Sequence, residues 1–283
     1  MATNVRLSGA QTTPRSESDI RINYSDPTKI IAASNSISAA GNQAQFYSSD
    51  SGATWNQTTL PLVLGDNFHS DPAVDWTSDG TAWALTLGIS ASGGALRSYN
   101  STDGGATWTL EATPSGAQTA VDREIIWVDH SPTSPFKDQV YATWHNGVPA
   151  FVATRTAGGG GAWQAPVQIS GGEQTGPAIG NDIKTNSVGD VFAFYPDGDG
   201  SHKLRIVKST DGGATFSAHV DFATIIASSR KLSIPADTGR MARVFISGGA
   251  YRTAAKDHVY AVWPDLSGEP GCTSGLEIGR AHV

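Results

Sequence analysis

One octapeptide, returning at a fixed interval, constrains this chain more than anything else in it. Ser48-Ser49-Asp50-Ser51-Gly52-Ala53-Thr54-Trp55 recurs as Ser101-Thr102-Asp103-Gly104-Gly105-Ala106-Thr107-Trp108 and as Ser209-Thr210-Asp211-Gly212-Gly213-Ala214-Thr215-Phe216. The first two aspartates stand 53 residues apart, and the second and third 108, close to two such steps. The interval therefore demands a copy near residue 157. There Thr156-Ala157-Gly158-Gly159-Gly160-Gly161-Ala162-Trp163 keeps the glycines and the tryptophan and has no aspartate. A period of this length belongs to arrays whose units bury their apolar faces only against one another.

Every copy has the same neighbours. An apolar run precedes it (Ala44–Phe46, Leu96–Tyr99, Phe151–Ala153, Leu204–Val207), and a short extended stretch such as Thr109–Glu111 follows. Strand, glycine-rich turn, strand is a hairpin. Glycine accepts the positive φ that such a turn requires. Asp and Ser side chains bond the turn's own backbone. Further apolar strands open each unit, the second ones reading Ile30–Ala33, Thr81–Leu85, Gln139–Trp144, Asp190–Phe194 and His258–Trp263. Four strands per unit of about 53 residues make a propeller blade. The fold class expected is all-β, a β-propeller of four-stranded antiparallel blades, with about five blades present of six. The blades fall at 17–65, 66–120, 121–173, 174–226 and 227–277, after an N-terminal extension over 1–16.

Composition narrows the partners. With 26 carboxylates against 19 Lys and Arg, bulk charge does not draw the chain to nucleic acid or an anionic membrane surface. No run of 18 apolar residues offers a membrane-spanning segment. The seven His show no metal-ligand spacing, and no cofactor motif is present. Asp197-Gly198-Asp199-Gly200-Ser201 has the opening of a calcium loop, but His202 and Lys203 follow where ligands are needed, so a hairpin turn is expected. Cys272 alone carries no disulfide assignment.

The octapeptide resembles the Asp-box, or BNR repeat, of the sialidase-like propellers, and the resemblance runs from about Glu17 to the end of the chain. It implies a glycan as partner and an extracellular setting for the full-length protein. In that family the boxes lie on the blade rim, so Asp50, Asp103 and Asp211 are structural. Catalysis there uses three arginines on a substrate carboxylate, an Asp as acid and base, and a Tyr activated by a Glu. Ile20-Arg21-Ile22-Asn23 stands where the family has its first arginine motif, without the flanking Phe and Pro. The stretch Asn35–Gln45, where the family's acid is expected, holds no Asp or Glu.

The candidate catalytic residues are therefore Asp66 or Asp71 ahead of the second blade, Asp122, and Glu173 as the Glu partner. Asp122-Arg123-Glu124 opens the third blade and is the most site-like cluster, with an inter-blade ion pair as its structural alternative. Arg21, Arg123, Glu124, Arg240 and Arg243 are the candidate substrate-binding residues. Three functions follow: an exo-glycosidase acting on terminal acidic sugars, a non-catalytic glycan- or protein-binding propeller, or an endo-glycanase using Trp76, Trp127 and Trp144 as platforms for neutral polysaccharide. A box is due near residue 278, where Ile278-Gly279-Arg280-Ala281-His282-Val283 reads as a non-native tail. On that reading the chain is an inert fragment, with an apolar face and an edge strand open at its gap.

Overall fold

The computed structural model describes residues 5–12, 14–36, 41–170, 180–197, 201–225, 231–234, 237–254, 256–266 and 276–282. For 36, 231–234, 237–243, 266 and 276–282 it describes the backbone alone. Four antiparallel sheets of four strands follow one another along the chain. The first comprises β1 (Arg15–Ile22), β2 (Ile30–Ser36), β3 (Ala44–Ser48) and β4 (Asn56–Thr59). The second holds β5 (Asp66–Trp76), β6 (Ala82–Ser90), β7 (Gly93–Ser101) and β8 (Thr109–Ala112). The third holds β9 (Val121–Val128), β10 (Val140–Asn146), β11 (Ala150–Arg155) and β12 (Val167–Gln168). The fourth holds β13 (Asp182–Thr185), β14 (Val191–Pro196), β15 (Lys203–Ser209) and β16 (Val220–Thr224). A two-stranded ladder, β17 (Lys231–Ile234) with β18 (Asp237–Arg243), precedes a last sheet of β19 (Ser247–Arg252), β20 (Asp257–Leu266) and β21 (Leu276–His282).

The expected second strands all occupy the second place in their sheets, and each octapeptide turns the chain from the third strand to the fourth. In the three complete copies the aspartate ties the turn together. Asp50 accepts from Thr54 N at 2.8 Å, Thr54 Oγ1 at 2.6 Å and Ser48 Oγ at 2.8 Å. Asp103 and Asp211 repeat the pattern. These bonds, led by the one from the Thr hydroxyl, hold the Asp50 and Asp211 carboxyls down at about 2. Trp55 and Trp108 donate to the carbonyls of Gly52 and Gly105 in their own turns. The incomplete copy behaves differently: Trp163 donates to Ser98 and Glu111 of the preceding sheet. Gly105 shows why one turn position excludes a side chain, since a Cβ there would lie 2.9 Å from Ile31 Cγ2 in the first sheet.

Successive sheets bury their faces against each other. Ile31, Trp76, Tyr99 and Trp108 fill the first interface, and Trp83, Ile126, Val128 and Trp144 the second. Tyr141, Ile183 and Tyr195 fill the third, and Phe194, Ile246 and Trp263 the fourth. Three aspartates clasp neighbouring sheets with both oxygens. Asp19 accepts from Ile20 N and from Val74 N across the interface, at 2.9 and 3.0 Å. Asp75 accepts from Trp76 N and Val128 N, both at 2.9 Å. Asp182 accepts from Ile183 N and Gly248 N, at 2.8 and 2.6 Å. The outer faces of the two terminal sheets expose Ile20 and Ile22 at one end and Tyr251, Tyr260 and Val262 at the other.

Arg240 and Arg243 lie on β18 of the two-stranded ladder, while the first strand of the last sheet begins at Ser247. Residues 278–282, read as a tail, belong to β21 and pair with β20.

The clasps make a direct stability prediction. Asp75 is buried and serves two backbone donors, so Asp75→Ala strands both and lowers unfolding free energy by about 2–4 kcal/mol in urea titration, with Asp75→Asn intermediate. A loss below about 0.5 kcal/mol is inconsistent with a clasp.

Candidate functional site

In each of the four four-stranded sheets one residue in the left-handed region stands at a constant place, on the first strand in three of them and just ahead of it in the fourth. The hairpin to the second strand is closed by the N–H of Asn23, Thr77, Asp129 and Asn186, bonded to the carbonyls of Lys29, Thr81, Gln139 and Asp190. Six residues before each of these stand Glu17, Asp71, Arg123 and Gly180, with φ of 50°, 51°, 57° and 102°. In the first three sheets the ladder slips around this residue: between Ser16 and Asp19, between Ser70 and Ala73, and opposite Thr143 and His145. A bulge with one left-handed residue bends its strand and re-aims the side chain. Non-glycine residues in that region are uncommon and strained. Here three strands place Glu17, Asp71 and Arg123 along one cleft of about 430 Å³, lined also by Arg21, Glu124 and Phe245.

Carboxyls crowd this cleft. Burial against the cleft wall, a hydrogen bond shared with Asp71 and that carboxylate's charge push Glu17 up to about 7. Asn35 Nδ2 donates to Glu17 and to Ser70 Oγ at 3.2 Å, and Ser70 Oγ donates to Asp71 at 2.8 Å. Glu124 is 3% exposed, and neither of its side-chain oxygens has a hydrogen-bond partner among the described residues. Burial first, then the charge of Asp71, raise it well above the usual carboxylate range. Burial also raises Asp122, with Asp71 adding to the effect and His145, whose Nε2 lies 3.8 Å away, opposing it. Asn181, between Gly180 and β13, is buried, and among the described residues neither of its side-chain amide atoms has a partner.

The two arginines of the cleft are in different states. Arg21 Nη1 pairs with Asp19 at 2.7 Å and donates to the carbonyl of Ile20 at 2.9 Å. Arg123 lies over the Phe245 ring, its Cζ 4.0 Å from the centroid. Among the described residues it forms no ion pair and no hydrogen bond, so its donors face the cleft.

Of the sequence candidates, Arg21, Asp71, Arg123 and Glu124 line this cleft, and Asp122 adjoins it through Asp71. Asp66 lies elsewhere: Arg97 grips it with Nε at 2.8 Å and Nη2 at 2.7 Å, and its side chain is buried. That bidentate pair leaves Asp66 no free oxygen edge for catalysis. Glu173 lies outside the described residues, as do the side chains of Arg240 and Arg243. Trp76 and Trp144 are fully buried interface residues and offer no platform, and Trp127 is spent on a hydrogen bond to Thr185 and a contact with Lys184. Among the described residues no cluster of three or more His, Cys, Asp or Glu is arranged to hold a metal. Glu17, Gly180 and Phe245 escaped sequence reasoning. The available signal was the spacing of Glu17, Asp71 and Arg123, which follows the octapeptide period.

Comparison with known proteins agrees with the architecture. A leech intramolecular trans-sialidase aligns over 100% of this chain and 63% of its own, at 11% identity and a TM-score of 0.60. The NanB sialidase of Streptococcus pneumoniae aligns over 97% of this chain and 60% of its own, at 10% identity and a TM-score of 0.62. The fold is that of a β-propeller. In sequence, the chain is 27% identical over 212 residues to a xyloglucanase of a Paenibacillus species, covering 65% of this chain. It spans 19% of that relative's length and about three fifths of the two sialidase chains. No family model matches.

The carboxyl cluster sets the direction of pH dependence. The unfolded chain ionises Glu17 near its ordinary 4.5, whereas the folded protein keeps that proton up to about 7. Stability therefore falls as pH rises across this window. Thermal melts of the wild type and Glu17→Gln should nearly coincide at pH 5 and separate by pH 8 in favour of the variant. A wild type whose advantage grows with pH contradicts the assignment.

Proposed function

We propose that the central cleft is a glycan-cleaving site of the glycoside-hydrolase kind, with a neutral glycan as substrate. The observation that carries this reading is the meeting of Glu17, whose carboxyl is raised to about 7, with Asp71 and the buried Glu124 in one cleft with an unpaired guanidinium. Glycosidic hydrolysis needs one carboxyl that still holds a proton and one that has lost it. The protonated group gives its proton to the glycosidic oxygen as the C–O bond breaks. A carboxylate takes a proton from the attacking water, whose oxygen bonds to the anomeric carbon. Glu17 and Glu124 fit the first role and Asp71 the second. Arg123 donates to sugar oxygens.

A neutral sugar suits the charge of the cleft. An acidic sugar needs cationic partners, and of the two arginines that line the cleft only Arg123 is unpaired, Arg21 being neutralised by Asp19. The xyloglucanase likeness points the same way. The sialidase likeness and the unpaired Arg123 favour an acidic sugar as the second reading.

A substrate panel separates the two. The neutral reading predicts binding and slow cleavage of xyloglucan oligosaccharides, with Asp71→Asn lowering kcat by about 10²–10⁴-fold. Preference for 3'-sialyllactose supports the acidic reading. Binding without turnover by wild type and variant alike reduces the cleft to a glycan-binding site.

A further inference from the structure

The fourth sheet breaks the pattern of the first three in an informative way. Where they send Glu17, Asp71 and Arg123 toward the cleft, it has Gly180, which has no side chain to send. A Cβ on Gly180 would lie 2.7 Å from Phe245 Cδ1 and 2.9 Å from the carbonyl oxygen of Val244. Only glycine allows the segment leading into β19 to come this close. Ile246 N donates to the Gly180 carbonyl at 3.2 Å and fixes the approach. Phe245 thus takes the place of the fourth inward side chain and becomes a wall of the cleft.

Arg123 uses that wall. A guanidinium among Glu17, Asp71, Asp122 and Glu124 would ordinarily form a bidentate ion pair. Instead it stacks on the Phe245 ring, an arrangement stabilised by the ring's negative face. We infer that Phe245, seated in the room left by Gly180, is a positioning residue that holds the Arg123 guanidinium off the cleft carboxyls and keeps its N–H donors free for a ligand oxygen. The ligand class is an oxygen-rich acceptor. The inference concerns the free protein and stands apart from the glycan reading.

The consequence is visible in Glu17, which faces Asp71 from the second sheet, Asp122 and Arg123 from the third, Asn35 from β2, and Asp19 and Arg21 along its own strand. Arg123 already opposes the rise of Glu17 and Glu124 through space, and releasing it from the ring lets that counter-charge come closer. Titration of the Glu17 carboxyl in the full chain by ¹³C NMR, assigned with Glu17→Gln, reads this directly. In Phe245→Leu the midpoint should fall from about 7 by about one pH unit or more, while Phe245→Tyr keeps it. Adding Arg123→Gln to Phe245→Leu should restore the high midpoint. Gly180→Ala, which disturbs the seat and keeps the ring, should shift it in the same direction as Phe245→Leu. An unchanged midpoint in Phe245→Leu and Gly180→Ala overturns the inference, as does a fall that Arg123→Gln does not reverse. A failure of glycan binding leaves this readout untouched.

Discussion

A bulge holding one residue in the left-handed region, repeated in the first strands of successive sheets, is the constraint on which the site depends. Without it a first strand presents its side chains alternately to the two neighbouring sheets, where apolar packing claims them. The slip in the ladder turns Glu17, Asp71 and Arg123 out of that alternation and into common space. Left-handed backbone is costly for residues with side chains, so its recurrence at one register in three sheets marks positions where placement outweighs local comfort. The surrounding fold has to carry that cost.

It does so in two zones. At the rim, each complete octapeptide locks its turn through Asp, Ser and Thr, and those of the second and fourth sheets pack against the sheet before them. Nearer the centre, Asp19, Asp75 and Asp182 bind their own strand and a backbone N–H of the next sheet at once. These clasps fix the relative height of neighbouring first strands, and so the distances between the side chains that the bulges project. The carboxylates of the rim are held ionised by hydrogen-bond donors. Those of the cleft crowd one another, and burial with like charge raises Glu17, Asp122 and Glu124. One residue type therefore serves as mortar in one zone and as acid in the other, according to what surrounds it.

The architecture was legible because a period is a long-range signal that survives local ambiguity. Three octapeptides and their apolar runs located the third and fourth strands, and the second strands followed from alternation. The last sheet was less so: the ladder of β17 and β18 displaces its first strand from Arg240 to Ser247, and no turn motif marks the shift. Of the candidate site, Asp122-Arg123-Glu124 was legible as charges at a strand start, and Arg21, near the end of β1, through its place in the apolar run Ile20-Arg21-Ile22. Asp66 misled because its partner, Arg97, lies two strands away in the same sheet, a contact that spacing does not encode. Phe245 was invisible, since its role depends on the missing side chain of Gly180 in another sheet. Glu17 had the right period but no motif around it.

The most direct test of the central claim is a map of backbone amide shifts in the full chain on titration with a neutral xyloglucan oligosaccharide. The account predicts the largest changes at Glu17, Asp71, Arg123, Glu124, Gly180 and Phe245, residues far apart in sequence and joined only by the bulges and the cleft they build. Changes confined to the octapeptide turns or to the exposed faces of the terminal sheets, with the cleft silent, would contradict it.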